Sequence, residues 1–549
     1  MAVPVLNIPT QELNKRPKPY LKVKQLQLWL DELPTANTDR SAQHLLEQLK
    51  TINRSRYPAQ ERIRLLDTLR PTTRELLAQL KQPLKNSKLP LDKKQSQAAD
   101  TIQKILEEMA AGYKSVVSQL ILSDSRKEMD EMLLREAIYN SIQYLARRLV
   151  ESYLVYAPEP YDIWRELHQL YNYALQNDIH SLGVDDPCPD YMLPVAYTIE
   201  LVYKRILLLS LAAPYHLMQN EAEELYHLMS TWTMGCNIAP ANKKNINHQF
   251  IFDLAADSPP RYFNKNMGAQ PLNGRILDIK LVCSRLDNLL LQFSHHDNLD
   301  DIPSRLETQK HDMLSRLAEV LKGSQSRQSN RRSAGNSARI AVGLNAAHYY
   351  ISQKTAFSPE MDELKIDGQR KIEPSLFANA YKSALEKDRR HSHLDYVTYN
   401  WKQHNASKTG AALNCSLDKE EQSIQVGELV AYCNKEKPSH HWQVGLIRWL
   451  KFQLESGIDM GIMNLSNTAV PVAIKALDGA GEGTDYFRGL MIPKQVSIHQ
   501  TRSLIVPATL YDTGSVLAVN MKNRFFRVKL STPSLSTRSF TQYEFEILS

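Results

Sequence analysis

From Leu21 to about Lys322, apolar residues recur every three or four positions, which is the spacing of one face of a helix and predicts a helical domain over residues 1–322. The clearest run extends from Ile102 to Leu120 and predicts one long amphipathic helix. Shorter runs on either side, punctuated by prolines such as Pro34 and Pro71, predict further helices. No fixed-period repeat accompanies these runs, so the pattern predicts an all-α domain that is either a helical bundle or solenoid-like.

Two stretches lack the helical spacing. Residues 236–274 are rich in Asn, Pro and Gly, which predicts an irregular connection inside the helical domain. Residues 323–339 begin with a segment of Ser, Asn, Gln and Arg that contains no large apolar residue, as expected of a mobile linker. We therefore expect the helical domain to end near residue 322.

Beyond residue 339 the apolar spacing changes towards alternation, and β-branched residues and turn signals become more frequent. Alternating positions around Trp401 and Trp442, and again at 470–474, predict the strands of a small sheet or barrel over residues 340–476. Helical spacing at 355–393 predicts an insert between its first two strands. Further alternation predicts a C-terminal β extension over 477–549. The whole chain is thus expected to be an α+β multidomain protein.

Composition limits the broad class of the protein. At 549 residues the chain is too long for one core, and its 42% apolar and 23% charged residues are ordinary globular usage. A formal net charge of +7 is spread over so many residues that it does not by itself imply nucleic-acid binding, and no DNA partner is expected.

Five scattered cysteines without a CxxC spacing argue against a disulfide framework or a zinc site and favour a reducing compartment. The first residues have no apolar core followed by a cleavage site, and no apolar run approaches the roughly 20 residues of a membrane helix. The sequence therefore predicts a cytoplasmic protein without a membrane span.

One basic stretch and one turn carry the candidate chemistry. Residues 323–359 contain no Asp or Glu but several cations, among them Arg327, Arg331 and Arg332, so this stretch should attract an anion. Asn405, Ser407 and Gly410 follow the predicted Trp401 strand with the spacing NxSxxG. These residues combine hydrogen-bonding side chains with a glycine, which permits the positive φ of a tight turn.

Together the RxxxR element and the NxSxxG turn resemble the signature of PilZ domains, which pair an arginine loop with a [D/N]xSxxG turn on a barrel. The segments at Gly427 and at Trp442 to Trp449 are also similar to that family, and the resemblance covers roughly residues 323–475. It implies that residues 340–476 form a PilZ-like antiparallel β-barrel with extra terminal strands.

The resemblance also implies that the ligand is cyclic di-GMP, bound as a regulatory ligand, with no other cofactor. It implies a binding site made of Arg327, Arg331, Asn405, Ser407 and Gly410, with Arg332 as an auxiliary cation. Arginine suits such a ligand because its planar fork can bond a phosphate or the O6 and N7 of guanine, and can also stack on a base.

The sequence departs from the compact family pattern in the 74 positions that separate Arg331 from Asn405. The insert at 355–393 accounts for this excess, and it could also obstruct or reshape the pocket. Its own cluster of Arg389, Arg390, His391 and His393 either supplements the phosphate contacts or is a solvated helix end.

No enzyme is predicted. His296-Asp297 and His311-Asp312 are interpreted as polar helix-end residues rather than metal ligands, and the glycines near 479–483 do not match a nucleotide-binding loop. The preferred function is a bacterial cyclic di-GMP receptor that relays the signal to an unidentified protein partner in motility, pili, biofilm or exopolysaccharide control. The alternatives are an interaction scaffold that has lost nucleotide binding and an RNA-binding basic linker.

Overall fold

The computed structural model describes most of the chain. The described residues are 3–11, 22–34, 37–123, 127–189, 196–241, 249–263, 273–294, 305–323, 332–333, 336–355, 357–359, 396–407, 409–415, 423–435, 441–453, 457–480, 482, 485–494, 501–508, 510–521 and 524–548. Contacts divide the chain into two compact units. Residues 1–289 and 317–326 form the first, and residues 290–316 and 327–549 form the second.

The first unit is mainly helical. The helices that precede the linker are α1 (Val23–Asp31), α2 (Thr38–Arg54), α3 (Ala59–Leu80), α4 (Lys93–Ser123), α5 (Glu128–Leu154), α6 (Ile163–Gln176), α7 (Ile199–Leu211), α8 (Glu221–Trp232), α9 (Lys280–Ser294) and α10 (Arg305–Leu321). The last residues of α9 and residues 305–316 of α10 belong to the second unit. A short pair of strands, β1 (Gly183–Val184) and β2 (Tyr197–Thr198), precedes α7. The predicted helical domain is therefore confirmed.

Helix α4 lies at the centre of this unit. The predicted apolar face from Ile102 to Leu120 is buried, with Ile105 and Met109 fully so. The residues from Ala110 to Val117 are buried on every side, because helices α2, α3 and α5 pack around this part of α4. Amphipathic spacing thus identified the helix, while its central position also buries its polar face.

Residues 236–274 are not the irregular connection expected from the sequence. They contribute to a four-stranded antiparallel sheet in the order β3-β6-β4-β5. Its strands are β3 (Asn237–Pro240), β4 (Gln249–Asp253), β5 (Arg261–Phe263) and β6 (Gly274–Asp278). Strands of three to five residues are too short to establish a period of two, so the sequence revealed only the loss of the helical period.

A loop of this sheet region also caps a helix. The carboxylate of Asp257 accepts hydrogen bonds from the backbone N–H groups of Asp162, Trp164 and Arg165 at 3.0, 3.0 and 3.1 Å. These donors at the start of α6 have no partner within the helix, so a carboxylate distant in sequence satisfies them.

The second unit contains two barrels. The strands of the first are β8 (Ser337–Val342), β9 (Tyr399–Ser407), β10 (Gly410–Cys415), β11 (Leu429–Asn434), β12 (Gln443–Gln453) and β13 (Gly457–Ser466). They follow the order β10-β13-β12-β11-β8-β9, and pairing of β9 with β10 closes the ring. A short strand, β7 (Arg332–Ser333), extends the edge of β9. The predicted antiparallel barrel is confirmed.

The C-terminal region is a closed six-stranded barrel of its own, rather than an extension of the first. Its strands are β14 (Val470–Asp478), β15 (Phe487–Ile492), β16 (Ser503–Pro507), β17 (Val516–Met521), β18 (Arg524–Ser536) and β19 (Phe540–Leu548). The alternation at 470–474, expected in the first barrel, belongs to β14, which pairs with β15 and β17. Alternation identifies a strand but not the sheet that it joins.

A shared apolar core joins the two barrels. Helix α11 (Leu344–Ile351), which the sequence did not predict, contributes Ala346 and Ala347 to it. Leu429 from the first barrel and Leu490 and Phe540 from the second are buried in the same cluster. Most of the insert predicted at 355–393, including residues 360–393, lies outside the described residues.

Candidate functional site

Strand β9 carries the predicted NxSxxG residues at one corner of the first barrel. Asn405 and Ser407 lie at its end, and Gly410 begins the next strand, directly opposite Ser407. On the other edge of β9, the backbone of Arg332 pairs with Ala406 and that of Ser333 pairs with Asn405. The structure therefore brings the chain that follows the RxxxR element alongside the NxSxxG turn. Arg327 and Arg331 lie outside the described residues.

A β-bulge determines which way Asn405 and Ser407 face. Gln403 pairs with Leu413 and Asn405 with Ala412, so His404 is the extra residue in β9. Before the bulge, Trp401 points into the barrel and is only 2% exposed. Strict alternation would place Asn405 on that same inner face, and the extra residue moves it to the outer face. Ser407, two residues further, shares this orientation.

The side chain of Ser407 holds the turn that joins β9 to β10. Its Oγ accepts a hydrogen bond from the backbone N–H of Thr409 at 3.3 Å and lies 3.1 Å from the Thr409 hydroxyl. The same Oγ donates to the carbonyl oxygen of Gly410 at 3.3 Å. Serine commonly stabilises a turn in this way, so Ser407 has a structural role in addition to any contact with a ligand.

Gly410 is required for a reason other than the one expected. It does not have a positive φ and lies within a regular strand. A Cβ atom at this position would overlap the carbonyl oxygen of Ile462 in β13. The expectation of a left-handed turn at Gly410 is therefore wrong, and the glycine allows close approach of two strands instead.

The side chain of Asn405 is available for recognition. It is half-buried, and within the described part of the chain its amide makes no hydrogen bond. An amide presents two donor hydrogens and an acceptor oxygen, which matches the mixed donors and acceptors on the edge of a nucleobase. A polar group held at a strand end in this state can bind a ligand edge without first breaking an internal bond.

Four residues from neighbouring strands form one row across the outer face of the barrel. Residues directly opposite each other on paired strands project on the same side of the sheet. The inward neighbours of this row, such as Leu413 and Leu450, are at most 1% exposed, so the row faces away from the interior. From β9 to β12, the row consists of Asn405, Ala412, Gly461 and Trp449.

The adjacent row contains a fixed carboxylate. Asp459 accepts hydrogen bonds from the amide groups of Asn414 at 2.8 Å and Gln453 at 2.9 Å. Lys402 and Lys451 occupy the two ends of this row. The outer face near the NxSxxG turn is thus built from amides, small residues and a few charges, and no titratable side chain lies in the row of Asn405.

Metal chemistry has no candidate in the described ranges, where His, Cys, Asp and Glu side chains nowhere gather in threes to hold an ion. Asp312 belongs to one of the two His-Asp pairs noted in the sequence, and it accepts a hydrogen bond from the backbone N–H of Ser536 at 3.0 Å. The ring of His311 contacts that of Phe293, with centroids 5.9 Å apart. Residues 296 and 297 lie outside the described residues.

Sequence reasoning missed the bulge at His404, the backbone pairing of Ser333 and the position of Trp449. The aromatic residue was visible in the sequence, but only as part of a strand. Its relation to Asn405 depends on the order of four strands and on a register that the bulge shifts. No signal in the sequence alone reports that shift.

Comparison with known proteins matches three regions of the chain to three domain models of one protein family. Family models match the Cyclic-di-GMP receptor FimW N-terminal domain at residues 24–241, its middle PilZ domain at 249–376 and 360–471, and the FimW C-terminal beta-barrel domain at 472–548. The boundary between the last two falls at the start of β14, where the second barrel begins.

A relative described as "Cyclic-di-GMP receptor FimW" from Pseudomonas aeruginosa is 25% identical to this chain. The alignment covers 95% of this chain and 90% of the relative. No solved structure matches the chain. No helix within the described ranges combines the length and the apolar character needed to cross a bilayer.

Proposed function

Because the chain belongs to the family of PilZ-domain cyclic di-GMP receptors, we propose that it binds cyclic di-GMP at the corner where β7, β9 and β10 meet. The proposed site residues are Arg327, Arg331, Asn405, Ser407 and Gly410, with Arg332 as an auxiliary cation. Gly410 contributes by allowing the close approach of β13 rather than by contacting the ligand through a side chain.

The pairing of β7 with β9 is the observation that carries this proposal. Arg332 is directly opposite Ala406, the residue between Asn405 and Ser407. Consecutive Cα atoms are about 3.8 Å apart, so Arg331 begins within one residue of this ladder. A long guanidinium side chain on Arg331 can then reach a ligand that rests on the NxSxxG turn.

The RxxxR element and the NxSxxG turn offer complementary chemistry to a cyclic dinucleotide. A cyclic dinucleotide presents two phosphates and two guanine edges, and arginine recognises both through its forked donors. Asn405 offers an amide that can bond a guanine edge, and it is neutral, so it does not repel the phosphates. Cations therefore come from the segment before β7, while the barrel supplies the polar turn that selects the base.

We further propose that binding acts as a switch. Of the linker expected at 323–339, residues 332–333 and 337–339 lie in β7 and β8. The segment between Lys322 and β7 joins the helical part of the chain to the first barrel, and its Ser-, Asn-, Gln- and Arg-rich composition is typical of a linker. A ligand held by Arg327 and Arg331 would restrict that segment, and this change would be read by a protein partner. Motility, pili, biofilm or exopolysaccharide control are the proposed outputs.

The proposed receptor has no catalytic activity. Its function is to change conformation on binding, which requires no nucleophile or metal. We place it in the cytoplasm because its five cysteines are all free thiols, as expected in a reducing compartment.

A calorimetric titration of the full chain tests the proposal. We expect binding of cyclic di-GMP and at least about 100-fold weaker binding of cyclic di-AMP or GTP, because a site built to hydrogen-bond one base rejects others. Replacing both arginines, Arg327→Ala and Arg331→Ala, should lower the affinity at least about 100-fold, since each removes charge-assisted hydrogen bonds.

The matched control removes two exposed arginines from the second barrel, Arg524→Ala and Arg527→Ala, with the same loss of charge. This control should bind as the unmodified protein does. Equal binding by the Arg327 and Arg331 variant would overturn the proposed site. Absence of any binding by the unmodified protein would instead favour an interaction scaffold, and equal binding of any RNA would favour a nonspecific basic linker.

A further inference from the structure

A cleft in the helical unit is lined by helices α3, α5 and α8, with further residues from α4 and the adjoining loops. Its volume is about 620 Å³, within the range of roughly 300–1,000 Å³ that is usual for ligand sites. The α3 residues that line it extend from Arg70 to Lys81, and a rise of about 1.5 Å per residue makes this wall about 16 Å long. That length corresponds to about five residues of an extended chain.

Ion pairs between these helices fix the shape of the cleft. The Nζ of Lys81 in α3 lies 2.5 Å from a carboxylate oxygen of Glu151 in α5 and 3.9 Å from one of Glu223 in α8. The guanidinium of Arg147 in α5 bonds the same two carboxylates, at 2.8 Å to Glu151 and 2.7 Å to Glu223. These contacts cross-link the three helices. The cleft is therefore formed before anything binds, and a ligand does not have to open it.

Apolar side chains line a large part of the cleft. Leu77, Leu84 and Leu106 are each at most 7% exposed, whereas Leu154 is half-buried and Ala78 is exposed. Removal of apolar surface from water is the main driving force for association. A ligand of this cleft should therefore carry apolar side chains.

The charged residues of the cleft leave an excess of positive charge. Five lining residues are Lys or Arg, and three are Glu. One positive charge remains even when Asp186, the partner of Arg70, is counted with the three. Burial opposes ionisation of Glu223, yet a hydrogen bond from His227 and the charges of Arg147 and Lys81 hold the pKa of Glu223 well below its ordinary range. The electrostatic field in the cleft therefore favours a ligand with anionic groups.

One lining side chain has an unused hydrogen-bond acceptor. Gln219 is 4% exposed, and its Nε2 donates to the carbonyl oxygen of Leu84 at 3.0 Å and to Oγ of Ser87 at 3.2 Å. These bonds fix the orientation of the amide, and its Oε1 accepts no hydrogen bond from the residues that the structure describes. A peptide N–H is the kind of donor that this oxygen lacks, whereas a lipid chain has none.

We propose that this cleft is the docking site for an acidic peptide segment of the protein partner, bound in extended form with its apolar side chains against Leu77 and Leu106. The extended form follows because the backbone N–H groups of a helix are already bonded within the helix. This inference rests on the proposed function in taking the partner as the reader of the signal. It adds the surface that the partner contacts and the chemistry by which it is recognised.

The probe for this proposal is a displayed library of random peptides of about ten residues, twice the length of the cleft wall, selected on the full chain. The recovered peptides should be rich in Asp, Glu and apolar residues. Fluorescence anisotropy of labelled copies measures their affinity. Binding should weaken as the salt concentration rises, because salt screens the attraction between the peptide and the cleft.

A substitution at an exposed position can block the cleft without disturbing the core. Ala78→Trp places an indole in the cleft and should weaken binding of the recovered peptides at least about 10-fold, since the indole occupies the space of the ligand. Gln60→Trp is the matched control, because Gln60 is an exposed residue of the same helix outside the cleft. This control should bind the peptides as the unmodified protein does.

A charge reversal tests the electrostatic part of the proposal. Lys85→Glu, at an exposed lining position, should weaken peptide binding roughly three- to tenfold at low salt and less at high salt. Lys24→Glu, at an exposed position on α1, has the same change of charge and should have no effect. Hydrogen exchange should also show protection of the second half of α3 when a recovered peptide binds.

Several results would overturn the docking site. These are failure to recover any peptide, recovery of peptides without acidic enrichment, and equal binding of the recovered peptides to Ala78→Trp and to the unmodified protein. A dimer of the unmodified protein in light scattering that Ala78→Trp disrupts would assign the cleft to a second copy of this chain instead.

A separate titration distinguishes this inference from the proposed function. Ala78→Trp and Lys85→Glu should bind cyclic di-GMP as the unmodified protein does. If the unmodified protein does not bind cyclic di-GMP, the proposed function fails, whatever the peptides do. If it binds cyclic di-GMP and the peptide results fail, the docking site is wrong while the receptor function stands.

Discussion

The helical unit and the first barrel use charged residues in opposite ways. In the helical unit, Arg62, Arg70 and Lys114 are each at most 3% exposed, and each bonds an oxygen acceptor within the fold. On the outer face of the first barrel, the row that begins at Asn405 contains no charged residue at all. The cations proposed for that face belong to the chain segment that precedes β7.

This difference separates charged residues that stabilise the fold from charged residues proposed to bind a ligand. A buried cation without its partner is strongly unfavourable, so the ion pairs of the helical unit are fixed and specify one packing arrangement. The row of Asn405 can fold without a ligand, because it contains no charged side chain that would be left buried and unpaired. The arginines of the segment before β7 can then bind an anion, because they are not already used in ion pairs that stabilise this face.

Removal of a buried cation from the helical unit should have the largest effect on stability. Arg70 pairs with Asp186 at 2.7 Å, and neither side chain is more than 3% exposed. Arg70→Met should lower the free energy of unfolding by about 3–5 kcal/mol, because Asp186 is left charged and buried. Chemical unfolding followed by the helical circular dichroism signal measures this loss.

The matched control for this prediction is Lys104→Met. Lys104 pairs with Asp100 in the same unit, but both side chains are more than half exposed. Its removal should cost less than about 1 kcal/mol. Equal effects of the two substitutions would show that burial does not distinguish these charges.

In the first barrel, stability should depend on close backbone approach instead. Gly410→Ala places a methyl group against the carbonyl oxygen of Ile462 and should destabilise the barrel by about 1–3 kcal/mol. Hydrogen exchange of β10 and β13 amides, measured by mass spectrometry, reports this loss locally. Thr409→Ala, in the same turn, should have a much smaller effect on exchange, and an equally stable Gly410→Ala variant would contradict the close-approach explanation.

A pair of half-buried carboxyl groups, Asp67 and Glu136, should make the stability of the helical unit depend on pH. Burial, together with the nearby charge of Asp67, raises the pKa of Glu136 to about 8. Tyr113 donates a hydrogen bond to Asp67 at 2.6 Å. A carboxyl whose pKa is raised on folding stabilises the fold below its ordinary pKa, and this stabilisation is lost as the pH rises through about 8.

The free energy of unfolding should therefore fall by about 1–2 kcal/mol between pH 6 and pH 9, after allowance for partial exposure of Glu136. Glu136→Gln, which cannot ionise, should remove most of this decrease. Unfolding of both proteins in denaturant at the two pH values checks the prediction. A decrease of the same size in the variant would assign the pH dependence to other groups.

A smaller effect is expected from the cap of α6. Asp257→Ala removes the acceptor for three backbone N–H groups and should cost about 1 kcal/mol. Asp185→Ala, at an exposed position in the same unit, is the control and should be neutral. Increased hydrogen exchange at the start of α6 in the first variant alone would confirm the cap.

Substitution of Arg327 and Arg331 tests most directly whether cations that bind ligand differ from cations that stabilise the fold. Its effect on stability should be the smallest. Arg327→Ala with Arg331→Ala should leave the free energy of unfolding of the barrels within about 0.5 kcal/mol while it weakens ligand binding. Thermal unfolding without ligand measures the first quantity. A large loss of stability would show that these cations serve the fold, as the buried ones do.

Long or repeated sequence patterns were sufficient to identify some of the elements. The apolar face of α4 was identified from its spacing, because a helix of 31 residues repeats its pattern over many turns. The fold class and the family resemblance followed from the change of period near residue 339 and from the order of the two signature elements. A change of period and a motif are local properties, which a chain carries before it folds.

Helix ends and the partners of each strand depend on tertiary contacts, which a local pattern does not report. Helix α3 continues through Pro71, where the sequence predicted a break, because apolar residues before and after it, such as Leu69 and Leu76, are buried together. The strand at 470–478 joins the second barrel because of its partners, which are distant in sequence.

The outward orientation of Asn405 likewise depends on one extra residue in β9 and on the register of three further strands. Pairing between distant strands sets which residues become neighbours, and a one-residue shift reverses the face to which each side chain points. The sequence could therefore supply the residues of the candidate site, whereas only the folded barrel could place Trp449 in the same row as Asn405.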